Sequence, residues 1–153
     1  MNRVTDLAAA VESTVDALVT VLGAADQAQT PSVPPAQLRV LAIVAQNRPT
    51  NMSRLAEALE VVPSSASRLC DRLEATGLLR RVPDPRDRRE VRLLLTTSAR
   101  TLLDQIRERR RQALGEVLER MSPADRQELV HALRSFADAA GTGEDGTGAL
   151  RTA

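Results

Sequence analysis

The chain has 153 residues, 42% of them apolar, with 21 basic and 20 acidic side chains for a net charge of +1. That length suits one domain with a real core, and the charge balance excludes a polycation that adheres to any acidic surface. With Phe136 the single aromatic and Cys70 the single cysteine, the core must be aliphatic, and an internal disulfide or a multi-thiolate zinc site is excluded.

Val4, Leu7, Val11, Val15, Leu18 and Leu22 recur at spacings of three and four. They predict a first helix with a narrow apolar stripe, closer to a helix–helix seam than to a broad core face. Gly23 and the run Thr30-Pro31-Ser32-Val33-Pro34-Pro35 are expected to end it. Acids at 6, 12 and 16 break the pattern of a signal peptide, and no run reaches the ~18 uninterrupted apolar residues of a membrane span. A cytoplasmic protein is expected.

The prolines at 34 and 35 suit the first turn of a second helix, with Leu38, Leu41, Ala42 and Ala45 inward and Asn47-Arg48-Pro49 as its stop. Thr50 or Asn51 caps a short third helix over residues 52–59, with Leu55 and Leu59 inward. After Glu60-Val61-Val62, Pro63 opens a fourth helix that runs to Gly77, a residue suited to the left-handed position past a helix end. Residues 78–82 and 90–95 are β-type runs, and Pro83, Asp84 and Pro85 place a turn between them. Thr96 or Thr97 caps a long helix to about Met121. Ser122-Pro123-Ala124-Asp125 starts the last helix, which is expected to bury Leu129, Leu133, Phe136 and Ala140. From Gly141 little can pack, and 141–153 reads as a disordered tail. The order is four helices, a β-hairpin and two more helices, with no repeat.

Charge is segregated along this order. Residues 1–30 sum to about −3 and residues 68–92 to about +3. Every cation is arginine. Codon usage in a GC-rich genome accounts for that, although the guanidinium fork also suits phosphate and guanine.

Two short helices joined by a tight turn match a helix-turn-helix, a corner that any helical bundle contains. The fourth helix is more specific. Ala66, Leu69, Cys70 and Leu73 share one side, and Ser64, Arg68, Asp71 and Ala75 share the other, flanked by Ser65, Ser67 and Arg72. Short hydroxyls let a backbone approach a major groove, arginine bridges guanine O6 and N7, and a helix start favours phosphate. An ordinary solvated helix face is the competing reading. The hairpin tip tilts the balance, because Arg86, Arg88 and Arg89 crowd three cations into four residues, with Asp84 and Asp87 expected to orient them. An arginine-tipped hairpin is the right size for a minor groove.

The run from Ser65 to Arg81, with Asp84-Pro85-Arg86-Asp87-Arg88-Arg89 and then Leu95-Thr96, resembles the MarR family of winged helix-turn-helix regulators. The likeness covers about residues 2–140, and the wing pattern D-x-R-D-x-R is its most specific part. It implies a mainly α fold with a small β-hairpin wing, dimerised through its N- and C-terminal helices. The domains are then 1–30 and 97–140 for dimerisation, 34–96 for DNA binding, and the tail. Ser64, Ser65, Ser67, Arg68 and Arg72 would face bases, with Asn51 and Ser53 on phosphate. Arg89 would enter the minor groove, with Arg86 and Arg88 sharing that task or gripping phosphate. Val4, Leu7, Val11, Val15, Leu129, Leu133 and Phe136 would form the dimer seam; an intramolecular helix pair is the alternative. The partners implied are double-stranded DNA, a second copy and a small-molecule effector, with the aliphatic lining pointing to an apolar ligand or to none.

Other residues carry less. Some members of that family sense oxidants through a cysteine near the first helix, but here that helix has none, and Cys70 lies on an apolar face. His131 lies opposite the Leu129, Leu133 and Phe136 face and has no metal partners in view. The Arg107-Glu108-Arg109-Arg110-Arg111 run reads as solvated helix, with a supplementary phosphate contact as the lesser reading. No catalytic constellation, cofactor motif or metal site is expected. The function expected is a homodimeric repressor of a pseudo-palindromic operator. Its rival is a helical protein-interaction module with a degenerate wing.

Overall fold

The computed structural model describes residues 3–28, 32–46 and 50–141. The expected roles of Thr30 and Pro31, of the 47–49 stop and of the tail from 142 fall outside these residues. The chain divides into two compact units, Met1–Ala113 and Leu114–Ala153.

Helix α1 (Arg3–Gln27) is followed by α2 (Pro35–Gln46), strand β1 (Thr50–Asn51), α3 (Met52–Leu59), α4 (Pro63–Ala75), β2 (Leu79–Pro83), β3 (Val91–Leu95), α5 (Thr97–Leu118) and α6 (Pro123–Ala139). Two expectations change. Gly23 does not end α1, which continues to Gln27; a single glycine costs a helix only about 1 kcal/mol. The hairpin also gains a third strand, since Thr50 pairs with Leu93 and Asn51 with Arg92, giving an antiparallel sheet ordered β1-β3-β2. Thr50 is therefore buried in the sheet, and Asn51 alone caps α3, its Oδ1 accepting from the Arg54 amide at 2.9 Å.

The core of the first unit is aliphatic. Val40, Leu41 and Val44 of α2 meet Leu55 and Leu59 of α3, Ala66, Cys70 and Leu73 of α4, and Leu79, Leu93 and Leu95 of the sheet. Leu38, Ala42 and Ala45, expected inward on α2, are only half-buried, because the buried stripe runs through Val40 and Val44 instead. Helix α3 ends on Glu60 in the left-handed conformation (φ 56°), whose amide bonds back to the Ala56 and Glu57 carbonyls. A non-glycine residue there costs about 1 kcal/mol, and it fixes the turn into α4.

Gly77 takes the left-handed position past α4 (φ 74°). The Thr96 hydroxyl donates to the Gly77 carbonyl at 2.7 Å and accepts from the Ala99 amide at 3.2 Å. One side chain thus caps α5 and ties it to the start of the hairpin.

The N-terminal part of α1 buries nothing. Val4, Leu7, Val11, Val15 and Val19 are all exposed, while Leu18, Val21 and Leu22 are half-buried and Ala25 is buried. Asp26 holds Arg110 of α5 through two hydrogen bonds of 2.5 and 2.6 Å. By length and composition α1 is apolar enough to cross a membrane, with a mean hydropathy of 1.5 over 18 residues. Glu12 and Asp16 interrupt it, so it holds no unbroken apolar run of that length.

In the second unit Ser122 caps α6, accepting from the Asp125 amide at 3.1 Å and donating to its carboxylate at 2.6 Å. Arg126 reaches back to the Leu118 and Glu119 carbonyls and satisfies the end of α5. Leu129, Leu133, Phe136 and Ala140, which the last helix was expected to bury, are all exposed in one copy. No α6 residue is buried, and Phe136 is 65% exposed.

Candidate nucleic-acid interface

Helix α4 buries Ala66, Cys70 and Leu73 and turns Ser64, Arg68, Asp71 and Arg72 outward, with Ser65 half-buried at the edge. Its polar face is not uniformly free. The Arg81 guanidinium, on β2, donates to Asp71 at 2.7 Å, to Glu74, and to both the carbonyl and the hydroxyl of Ser67 at 3.1 and 3.2 Å. The Arg81 amide donates to the other Glu74 oxygen at 3.0 Å. Burial, the largest single influence, pulls the Arg81 pKa down, but Asp71 and Glu74 outweigh it and the net shift is upward. Ser67, expected among the base-facing residues, is half-buried and engaged by Arg81.

The sequence alone gives Arg81 and Arg92 no task. Arg92 donates through Nε to Asp84 at 2.7 Å. That bond, followed by one from the Arg86 amide at 2.8 Å, holds the Asp84 carboxyl below its ordinary range. Asp87 likewise accepts from the Arg89 amide at 3.0 Å. The two acids were expected to orient the guanidinium groups of the tip. They hold its backbone instead, in Asx-type turns, and Asp84 orients Arg92. The signal that would have found these pairs is the strand register: Val82 opposite Arg92 and Pro83 opposite Val91 bring Asp84 to the base of the turn.

The consequence is a sorting of charge. Arg81 and Arg92 are neutralised inside the lobe. Arg86, Arg88 and Arg89 are exposed, and among the described residues their guanidinium groups have no hydrogen-bonding or ion-pairing partner. Asn51 cannot be read as a simple phosphate grip, because its amide nitrogen donates to Glu90 at 3.3 Å while its oxygen caps α3. Ser53, beside it, is exposed.

Cys70 is fully buried, and burial pushes its thiol up to about 11. His131 is exposed on α6. Among the described residues no group of His, Cys, Asp and Glu is placed to hold a metal ion.

A helix-turn-helix braced to a three-stranded sheet, with an arginine-tipped hairpin beside it, is a winged-helix DNA-binding lobe. The MarR family model matches residues 33–91. The HTH-type transcriptional repressor MdtR of Bacillus subtilis is 31% identical over 112 residues, covering 73% of this chain and 72% of that protein. The structure of RV1404 from Mycobacterium tuberculosis is 32% identical with a TM-score of 0.81, covering 95% of this chain and 99% of that one. The YusO protein of Bacillus subtilis is 26% identical with a TM-score of 0.70, covering 91% and 100%. The chain belongs to the MarR family, whose members are DNA-binding transcriptional regulators and not enzymes.

Proposed function

We propose that this regulator acts in the cytoplasm as a homodimeric repressor of a pseudo-palindromic operator. The observation that carries the reading is the charge sorting on the hairpin. Of its six arginines, Arg81 and Arg92 are held by carboxylates, Arg80 is exposed on β2, and the three at the tip project unpaired into solvent. An exposed trio of like charges gains nothing for the fold and suits a polyanion. Arg89 enters the minor groove with Arg86 and Arg88 on its walls or on phosphate, while Ser64, Ser65, Arg68 and Arg72 face the major groove and Ser53 meets phosphate.

The dimer rests on exposed apolar side chains. Leu7, Val11 and Val15 of α1, and Leu129, Leu133 and Phe136 of α6, are between 39% and 65% exposed in one copy. A second copy covers them, and the resulting two-fold axis sets half-sites about 10 bp apart. Repression is supported by MdtR, which is a transcriptional repressor by name.

An effector has a place to bind in the first unit. A cavity of about 410 Å³ is lined by Pro35, Leu38, Ala42, Leu103 and Ile106 together with Asp26, Arg39, Arg107 and Arg110. The apolar part of the lining would suit an apolar ligand, one of the two expectations, the other being no ligand at all. Arg110 and Arg107 are already engaged by Asp26 and Asp104.

The test is selection of bound duplexes from a random pool at near-physiological salt. An enriched two-fold symmetric motif is expected, and Arg89→Ala should weaken binding to it and lower the salt slope by about one unit. A protein-interaction module would enrich no motif and would be indifferent to Arg89→Ala.

A further inference from the structure

Val62 occupies a position that local chemistry disfavours. It is the N-cap of α4 (φ −68°, ψ 149°), and it is 62% exposed. A side-chain acceptor is strongly preferred there, because the first amides of a helix have no partner within it. Valine offers none, and no side chain caps α4. The caps of α3 and α6 are ordinary by comparison, with Asn51 and Ser122 accepting at 2.9 and 3.1 Å. Asn51, Thr96 and Ser122 cap α3, α5 and α6, and α2 starts after Pro34, which offers no acceptor. Helix α4 differs from all of these in placing a branched apolar side chain in water at its cap, which points to a task at that residue.

Its surroundings narrow the task. The Val62 carbonyl is already committed to the helix, accepting from the Ser65 and Ala66 amides at 3.0 and 3.2 Å. What remains to face outward is the pair of γ-methyl groups, at the leading end of α4 and two residues before the exposed Ser64. Recognition helices present that end to base edges. Base edges in the major groove bear donors, acceptors and one apolar feature, the thymine C5-methyl. Ser64 and Arg68 answer the polar features; Val62, the more exposed of the two valines that precede Pro63, answers the apolar one.

We infer that Val62 is a specificity-determining residue that reads a thymine methyl in the major groove. The inference rests on the DNA-binding reading above and sharpens it, from a polar reading face to one with an apolar leading edge.

The test uses the full chain and the operator recovered by selection. Each thymine is replaced in turn by deoxyuridine, which removes the methyl and leaves every hydrogen-bonding group in place. The wild type should lose about threefold to fivefold in affinity at one thymine per half-site, the worth of one apolar contact of that size. Val62→Ser should bind the thymine and uracil duplexes equally. Because serine restores a cap, that variant should fold with an unchanged or raised Tm, which separates lost reading from lost folding.

Three results would overturn the inference: half-sites without thymine, a wild type indifferent to every uracil, or a Val62→Ser variant that keeps the full uracil penalty. Failure of the DNA-binding reading itself looks different, since no motif would be enriched in the first place.

Discussion

Cys70 titrates in unusual isolation. The chain has no lysine and no tyrosine, so apart from the N-terminal amine no other side chain changes charge between about pH 9 and 11. Burial raises the folded-state pKa from 9.0 to about 11; Arg81 opposes the shift and Asp71 and Glu74 add to it. A group whose pKa is raised on folding stabilises below its unfolded value, and that stabilisation is lost as pH rises toward the folded value. Stability should therefore fall by about 2–3 kcal/mol between pH 9 and 11. Urea unfolding at pH 8 and pH 10.5 measures it, and Cys70→Ala should start lower but stay flat. Arg68 makes a second prediction at this scale. Its replacement by alanine should cost about 1–3 kcal/mol on the best operator and relax one base position. Equal losses on all duplexes would reduce Arg68 to a backbone grip. The outward position of Arg68 and the buried one of Cys70 were both legible from the helical wheel, because a 3.6-residue period separates core from solvent on a helix this short. The engagement of Ser67 was not, since its partner Arg81 lies 14 residues on and belongs to another element.

Between elements, Arg81 is the brace. It joins β2 to α4 through two carboxylates and Ser67, adding to the packing of Leu73 and Leu79 in the shared core, and so helps to set the angle between wing and α4. Arg81→Ala should cost about 2 kcal/mol of stability by the worth of a charged hydrogen-bonded group. It should also shrink the affinity penalty of Arg89→Ala, because a wing no longer aimed from α4 contributes less; a double-mutant cycle on operator affinity reads that coupling. Asp84 makes the wing sensitive to acid. Its depressed carboxyl stabilises the turn above the ordinary carboxylate value of about 3.9, and that contribution is lost as pH falls through the lower folded value. Amide exchange of residues 84–92 should stay slow down to about pH 4 and quicken below it, and Asp84→Asn should quicken it already at pH 7. Helix starts were legible because prolines at 35, 63 and 123 and a serine at 122 announce themselves. Strand β1 was not, since two residues carry no alternation and Thr50 and Asn51 also suit a cap. A sum of charges along the sequence likewise could not tell the paired Arg81 and Arg92 from the three unpaired arginines at the tip.

At the scale of the whole molecule, the apolar stripes left uncovered by one copy govern behaviour. Replacing Leu7 and Val11 together with glutamate should give a monomer by sedimentation and abolish two-fold symmetric operator binding, while the lobe over 34–96 keeps its fold. The narrow apolar stripe of α1 was legible from its spacing; whether Leu129, Leu133 and Phe136 line an inner core or an outer interface was not, since the same periodicity serves both equally well. The first residues of α1 gain no burial in one copy, and the helix is fastened to its own chain only from Leu18 onward, most firmly at Ala25 and Asp26. For the proposed homodimer, formation of the active species is second order in the chain. In the dilute regime a halving of expression would leave about a quarter of the dimer. Operator occupancy would thus respond steeply to the abundance of its own regulator, giving the controlled promoter a dosage threshold even before any effector is present.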